Sequence, residues 1–181
     1  MTDVSPTRPS EFRRAVLAIV VGGLSAGILD LGQALILFGT KIPLAIAAGL
    51  LGPQDAFSGG AATYILGVLL HFFIALSAAA IYFAASRRLH FLADYPLVCG
   101  LFFGVAVHLV MSFIVLPLSA LHAKGPYQYH DLVLGLLVHM TLVGLPISFS
   151  VRLFAREAGP AADLRGARAL HSGPETLAKR G

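Results

Sequence analysis

Leu66-Gly67-Val68-Leu69-Leu70-His71-Phe72 places an imidazole near the middle of a long apolar run, with a glycine one helical turn before it. The pattern returns at Leu134-Gly135-Leu136-Leu137-Val138-His139-Met140, and its Gly-x-x-x-His core appears again at Gly104 and His108. A spacing of four residues puts glycine and histidine on one face of an α-helix. Helices that are apolar all round belong in a large core or in a membrane, and the length of these runs decides for the membrane.

The surrounding composition agrees. Of 181 residues, 57% are hydrophobic and 12% charged, where a soluble domain carries about 25% charged residues. Mean hydropathy is +0.82. Membrane spans are expected at about 15–39, 60–85, 97–120 and 131–154, since a span needs about 20 apolar residues. On this reading residues 1–11 are a disordered cytoplasmic tail, 12–155 the transmembrane domain and 156–181 a disordered basic cytoplasmic tail. The first run exceeds the roughly 7–15 residues of a signal-peptide core and lacks its cleavage site, so it is read as an uncleaved helix. Leu44 to Leu51 is apolar but too short to span, and Pro43 and Gly52-Pro53 bracket it. A short interfacial or re-entrant helix is expected there, followed by a turn around Gln54-Asp55. Pro117 and Pro146 are expected to kink the third and fourth helices.

Net charge is +4, and of 13 Lys and Arg residues all but Lys41 and Lys124 fall in the N-tail, the loop after the second helix, or the chain from Arg152 onward. The positive-inside rule then puts both termini in the cytoplasm. Uncleaved helices and a single cysteine, Cys99, point to a bacterial inner (cytoplasmic) membrane. The basic residues have no interleaved aromatics of the kind that bind single strands, so no nucleic-acid partner is expected. The expected partner is the lipid bilayer, with a homo-oligomer or partner membrane helices as further options.

The first and third helices share Gly-Leu-x-x-Gly at 23–27 and 100–104, and the second and fourth share Leu-Gly-x-x-x-His. The expected fold is therefore all-α, a polytopic up-down four-helix bundle. A duplicated two-helix hairpin, related by a pseudo-two-fold axis along the membrane normal, stands against chance recurrence of Leu and Gly.

Each span carries a stripe of small residues with an ionisable side chain on it: Asp30, His71, His108 and His139. Small residues let membrane helices approach, so these four are expected to point inward and share one layer, with His71 facing His139. A charge inside the bilayer costs about 2.5 kcal/mol or more unless paired. Three imidazoles and a carboxylate suit a metal ion such as Zn²⁺. An Asp–His chain suits proton binding or relay. Two imidazoles across a bundle, each with a glycine leaving room for a porphyrin face, suit haem b and electron transfer. A structural network of hydrogen bonds, each worth about 0.6–2 kcal/mol, stands beside these readings, as does an assembly subunit whose stripes dock a partner helix. No Walker A, HExxH or GxSxG motif is present, and no catalytic residue is assigned.

Val107-His108-Leu109-Val110-Met111-Ser112-Phe113-Ile114-Val115-Leu116-Pro117-Leu118, with the Gly67–His71 and Gly135–His139 helices, resembles the uncharacterised four-span bacterial inner-membrane proteins of the YagU type. The stretch Ile46 to Pro53 looks like a loop common among proteobacterial membrane proteins. The resemblance runs from about Gly22 to Ser150. It implies fold and location, and carries over no catalytic residue.

Overall fold

The computed structural model describes residues 8–122 and 128–155. The expected tails before Arg8 and after Ala155, and loop residues 123–127, lie outside the described residues. The described residues are helical, with no strand among them. They form α1 (Arg8–Phe38), α2 (Ile42–Leu51), α3 (Pro53–Ser58), α4 (Gly60–Ser86), α5 (Phe91–Asp94), α6 (Pro96–Leu118) and α7 (Tyr129–Phe154). Four of these, α1, α4, α6 and α7, are long and apolar enough to cross a membrane. The chain is thus compatible with an integral, multi-pass membrane protein.

Two boundaries differ from expectation. The first helix begins at Arg8, so residues 8–11 form its first turn instead of a tail. Proline is tolerated in a first turn because its missing N–H has no intrahelical partner there, and Glu11 complements the helix dipole. The expected turn at Gln54-Asp55 is the short helix α3, opened by Pro53.

The side chains are sorted by size. Ala18, Ala26, Ala47 and Ala79 are fully buried, while Ile36 and Leu118 are 83% and 81% exposed. In lipid, large apolar side chains gain nothing by meeting one another, and close backbone approach favours small residues at the seams. At one seam, a Cβ on Gly23 would stand 2.9 Å from the Leu76 Cα, and one on Gly27 would stand 2.8 Å from the Phe72 ring. At the other, Gly100 abuts the Gly144 carbonyl and Gly104 the backbone of His139 and Met140. Counted from His71 and from His139, contacts one and five residues further on recur in both seams, and the second seam adds His139 itself and Ser148. The α1–α4 and α6–α7 pairs are therefore seated in the same register. The Gly100/Gly104 stripe, read from sequence as a docking face for a partner helix, is covered by α7 of the same chain.

The seams do not close into a square. The α1 helix packs along both α4 and α7, and α6 packs on α7. Among the described residues α4 and α6 do not pack along their lengths, although a square up-down bundle would set them side by side. They meet near α5, where the Tyr82 and Phe103 rings lie 4.9 Å apart. At the far end α2 lies against α4 and against the turn that follows α6. Its Pro43 carbonyl sits over Gly67, and its Gly49 carbonyl accepts the Ala120 N–H at 2.8 Å.

Pro117 and Pro146 are each preceded by a π-helical stretch, Met111–Val115 and His139–Gly144. Proline removes one N–H and its ring crowds the carbonyl four residues back. A wider i→i+5 turn takes up that mismatch, so both helices run on through their prolines.

Candidate functional site

The seam glycines bring the four ionisable side chains into two pairs. In the first, α1 and α4 approach at Gly27 closely enough for the His71 Nε2–H to donate to the Gly27 carbonyl at 2.9 Å. The same nitrogen lies 4.0 Å from Asp30 Oδ2. Asp30 sits three residues beyond Gly27, so the carbonyl and the carboxylate lie on one face of α1 and bracket one imidazole edge. Each side chain keeps a little exposure, 13% for His71 and 21% for Asp30.

The second pair is His108 and His139. Their ring centroids are 5.1 Å apart, with the planes tilted by 58°. The His139 Nδ1–H donates to the Gly135 carbonyl of its own helix at 2.7 Å. His108 is buried at 8% exposure and lies over Gly135, where a Cβ would meet its Cε1 at 2.7 Å. The His108 Nε2 is buried without a hydrogen-bond partner, as is the Gln33 Nε2 on α1. A buried polar atom without a partner costs about 1–3 kcal/mol, so both mark places where the polar interior is incomplete.

A cavity of about 90 Å³ connects the pairs. Asp30, His71 and His139 all line it, with Gly27, Ile46 and Met111 among its apolar walls. A water needs about 10–15 Å³ of such space and two or more polar partners, so the cavity has room for a few waters. His139 at once lines the cavity and touches the His108 ring.

Comparison with protein-family models, with curated proteins and with solved structures finds no match. The chemistry of the site rests on its own atoms.

Two cofactor readings are tested by those atoms. Among the described residues no three His, Cys, Asp or Glu side chains converge as a metal-ligand set; Asp30, His71, His108 and His139 form two separate pairs. Haem does not fit either. The glycine faces that were to admit a porphyrin are filled, Gly67 by the Pro43 carbonyl, Gly135 by the His108 ring and Gly104 by α7. The cavity itself holds only a few waters.

The peripheral histidines lie apart from this layer. His90, His122 and His130 are exposed, and the His130 Nδ1 lies 3.5 Å from the Asp131 carboxylate. Two contributors had no sequence signal of their own. Ile46 reaches the cavity from α2, which packs on α4. Met111 reaches it from the start of a π turn whose existence depends on Pro117, six residues later.

Proposed function

We propose that this chain is a four-span bundle of the bacterial inner membrane, up-down in topology with both termini cytoplasmic, that binds and relays protons through Asp30, His71, His139 and His108. The carrying observation is the cavity that Asp30, His71 and His139 share, with His108 in ring contact behind it. Support for the topology comes from four long apolar helices and from the placement of Lys and Arg. The resemblance to the YagU-type proteins belongs to this proposal, as does a hairpin duplication, which the shared seam register favours.

A proton on this path has donors and acceptors at each stage. Asp30 accepts or releases it at a carboxyl oxygen, which lies 4.0 Å from the His71 Nε2. Water in the cavity links this pair to the His139 ring. With its Nδ1–H committed to Gly135, neutral His139 keeps a lone pair on Nε2. The unpartnered His108 Nε2 is the next site. Intramembrane chains of Asp and His carry protons in this manner.

The test is proton flux into liposomes holding the purified protein and a pH-sensitive dye, driven by a potassium diffusion potential. Flux above protein-free liposomes is expected, and Asp30→Asn and His139→Leu are each expected to remove most of it. Flux equal to empty liposomes, or unchanged in both variants, overturns the proposal.

A second reading is favoured by the backbone bonds of His71 and His139. Each imidazole already donates to a glycine carbonyl, which is what a purely structural pin between membrane helices does. It leaves the His108 Nε2 without a role and expects no flux.

A further inference from the structure

The polar cavity does not stand alone. Two apolar cavities adjoin it in the gap between α4 and α6. One, of about 380 Å³, lies beside α2 and is lined by Ile42, Leu50, Leu70 and Leu121 among others. The other, of about 360 Å³, runs toward α5 past Phe73, Ile81, Phe103 and Val110. Ile74 and Met111 line all three cavities. With Ile46, Ala78 and Val107, each shared by the polar cavity and one apolar cavity, these two side chains form the partition between the Asp–His cavity and the apolar gap. The gap faces outward: Phe73 and Ile81 are 67% and 65% exposed, and no close α4–α6 seam shuts it among the described residues. In a bilayer that opening meets lipid chains, and each apolar cavity falls within the roughly 300–1,000 Å³ of ligand sites.

We infer that the Asp30–His71–His139 cavity and the α4–α6 gap form one site for a single-chain membrane amphiphile with a small, uncharged, hydroxyl-bearing head. The head enters between Ile74 and Met111, and the hydrocarbon chain stays in the gap.

The chemistry of the cavity selects the head. Asp30 presents carboxyl oxygens that accept hydrogen bonds. The Nδ1–H of His139 is committed to Gly135 and the Nε2–H of His71 to Gly27. With these two N–H groups spent on backbone carbonyls, the cavity is short of donors, and a hydroxyl supplies one. An anionic head would carry a charge into the membrane interior beside the Asp30 carboxyl group, which is costly. The space of about 90 Å³ admits a head no larger than a few waters. The tail is selected by the walls, which are apolar along both branches of the gap.

This inference rests on the reading of the cavity as a hydrated polar site, and its test is separate from proton flux. The purified protein in lipid nanodiscs is photolabelled with a hexadecanol carrying a chain diazirine and an alkyne, and in parallel with the matched probe that lacks the hydroxyl. Labelled peptides are mapped by mass spectrometry. The alcohol is expected to label the segments around Ile74 and Met111 saturably, and plain hexadecanol to compete. Asp30→Leu and His139→Leu are expected to weaken the alcohol's binding about tenfold, the size of one hydrogen bond, toward that of the hydroxyl-free probe. Met111→Phe is expected to block entry and Met111→Leu to permit it. Variants are compared only where size-exclusion profile and melting temperature match the parent; Asp30→Asn serves where Asp30→Leu does not fold.

Equal labelling by the two probes, or unsaturable labelling spread over outward residues such as Phe102 and Leu153, overturns the inference. Flux without probe preference removes the amphiphile and leaves the relay. Probe preference without flux removes the relay and leaves the binding site.

Discussion

The His108 ring rests on the Cα of Gly135 and against the ring of His139, whose centroid is 5.1 Å away. One missing side chain on α7 therefore makes room for an imidazole from α6. Gly135→Ala sets a methyl group 2.7 Å from His108 Cε1 and is expected to destabilise the protein by about 1–3 kcal/mol, the usual scale of overpacking. His108→Ala removes the ring that is struck. In the double variant the Gly135→Ala cost is expected to fall to near zero, a coupling that thermal melts of the four proteins in detergent would measure. Additive losses would show that the ring lies elsewhere.

The hydrogen bonds of His71 and His139 assign opposite tautomers. His71 donates from Nε2 to Gly27, and His139 donates from Nδ1 to Gly135. Nitrogen NMR of ¹⁵N-histidine-labelled protein, with assignment by single His substitutions, is expected to show one protonated Nε2 and one protonated Nδ1 at these positions when both rings are neutral. Matching tautomers would contradict the geometry.

The α6–α7 seam depends on glycines with no room to grow. Gly104→Leu drives a side chain into the His139–Met140 backbone, and a melting-temperature drop equivalent to about 2 kcal/mol or more is expected. Gly32, on α1, has nothing within 4 Å of its would-be Cβ. Gly32→Ala is expected to be neutral or to stabilise by up to about 1 kcal/mol, since alanine loses less backbone freedom in a helix. The pair of variants separates seam contact from a general effect of removing glycine.

Gly67 is the point at which α2 is held against α4. The Pro43 carbonyl occupies the place a side chain would take, so Gly67→Val is expected to push α2 outward. Ala47, fully buried on α2, reports this. In a Cys99→Ala background, Ala47→Cys is expected to resist a membrane-permeant maleimide, and addition of Gly67→Val is expected to raise its labelling several-fold, a change equivalent to about 1 kcal/mol of local opening.

The spans were legible because their signal is local. Residues 60–85 and 97–120 were expected as helices, and Gly60–Ser86 and Pro96–Leu118 are found. The inward faces were legible too, because small and large residues alternate at helical spacing: Gly100, Gly104 and His108 are buried, while Phe102 and Leu109 are exposed. The Ser150 hydroxyl donates to the Ala18 carbonyl of α1 at 2.9 Å. A serine near a helix backbone and a serine near a neighbouring helix look alike in a sequence, because the partner lies 132 positions away.

The amino-acid sequence by itself determined four membrane-length helices and the faces on which Asp30, His71, His108 and His139 lie. Hydrophobic length and helical periodicity are properties of a segment alone, and the bilayer demands them of each segment separately. Only the tertiary structure decided how the four groups are shared out. The pairing of Asp30 with His71 and of His108 with His139 follows from which glycine seams close. The same structure seats α2, a segment too short to span, at Gly67 and at the Ala120 turn beside the gap between α4 and α6. These are contacts between distant segments, and their geometry depends on fits of a single methyl group that no local pattern records.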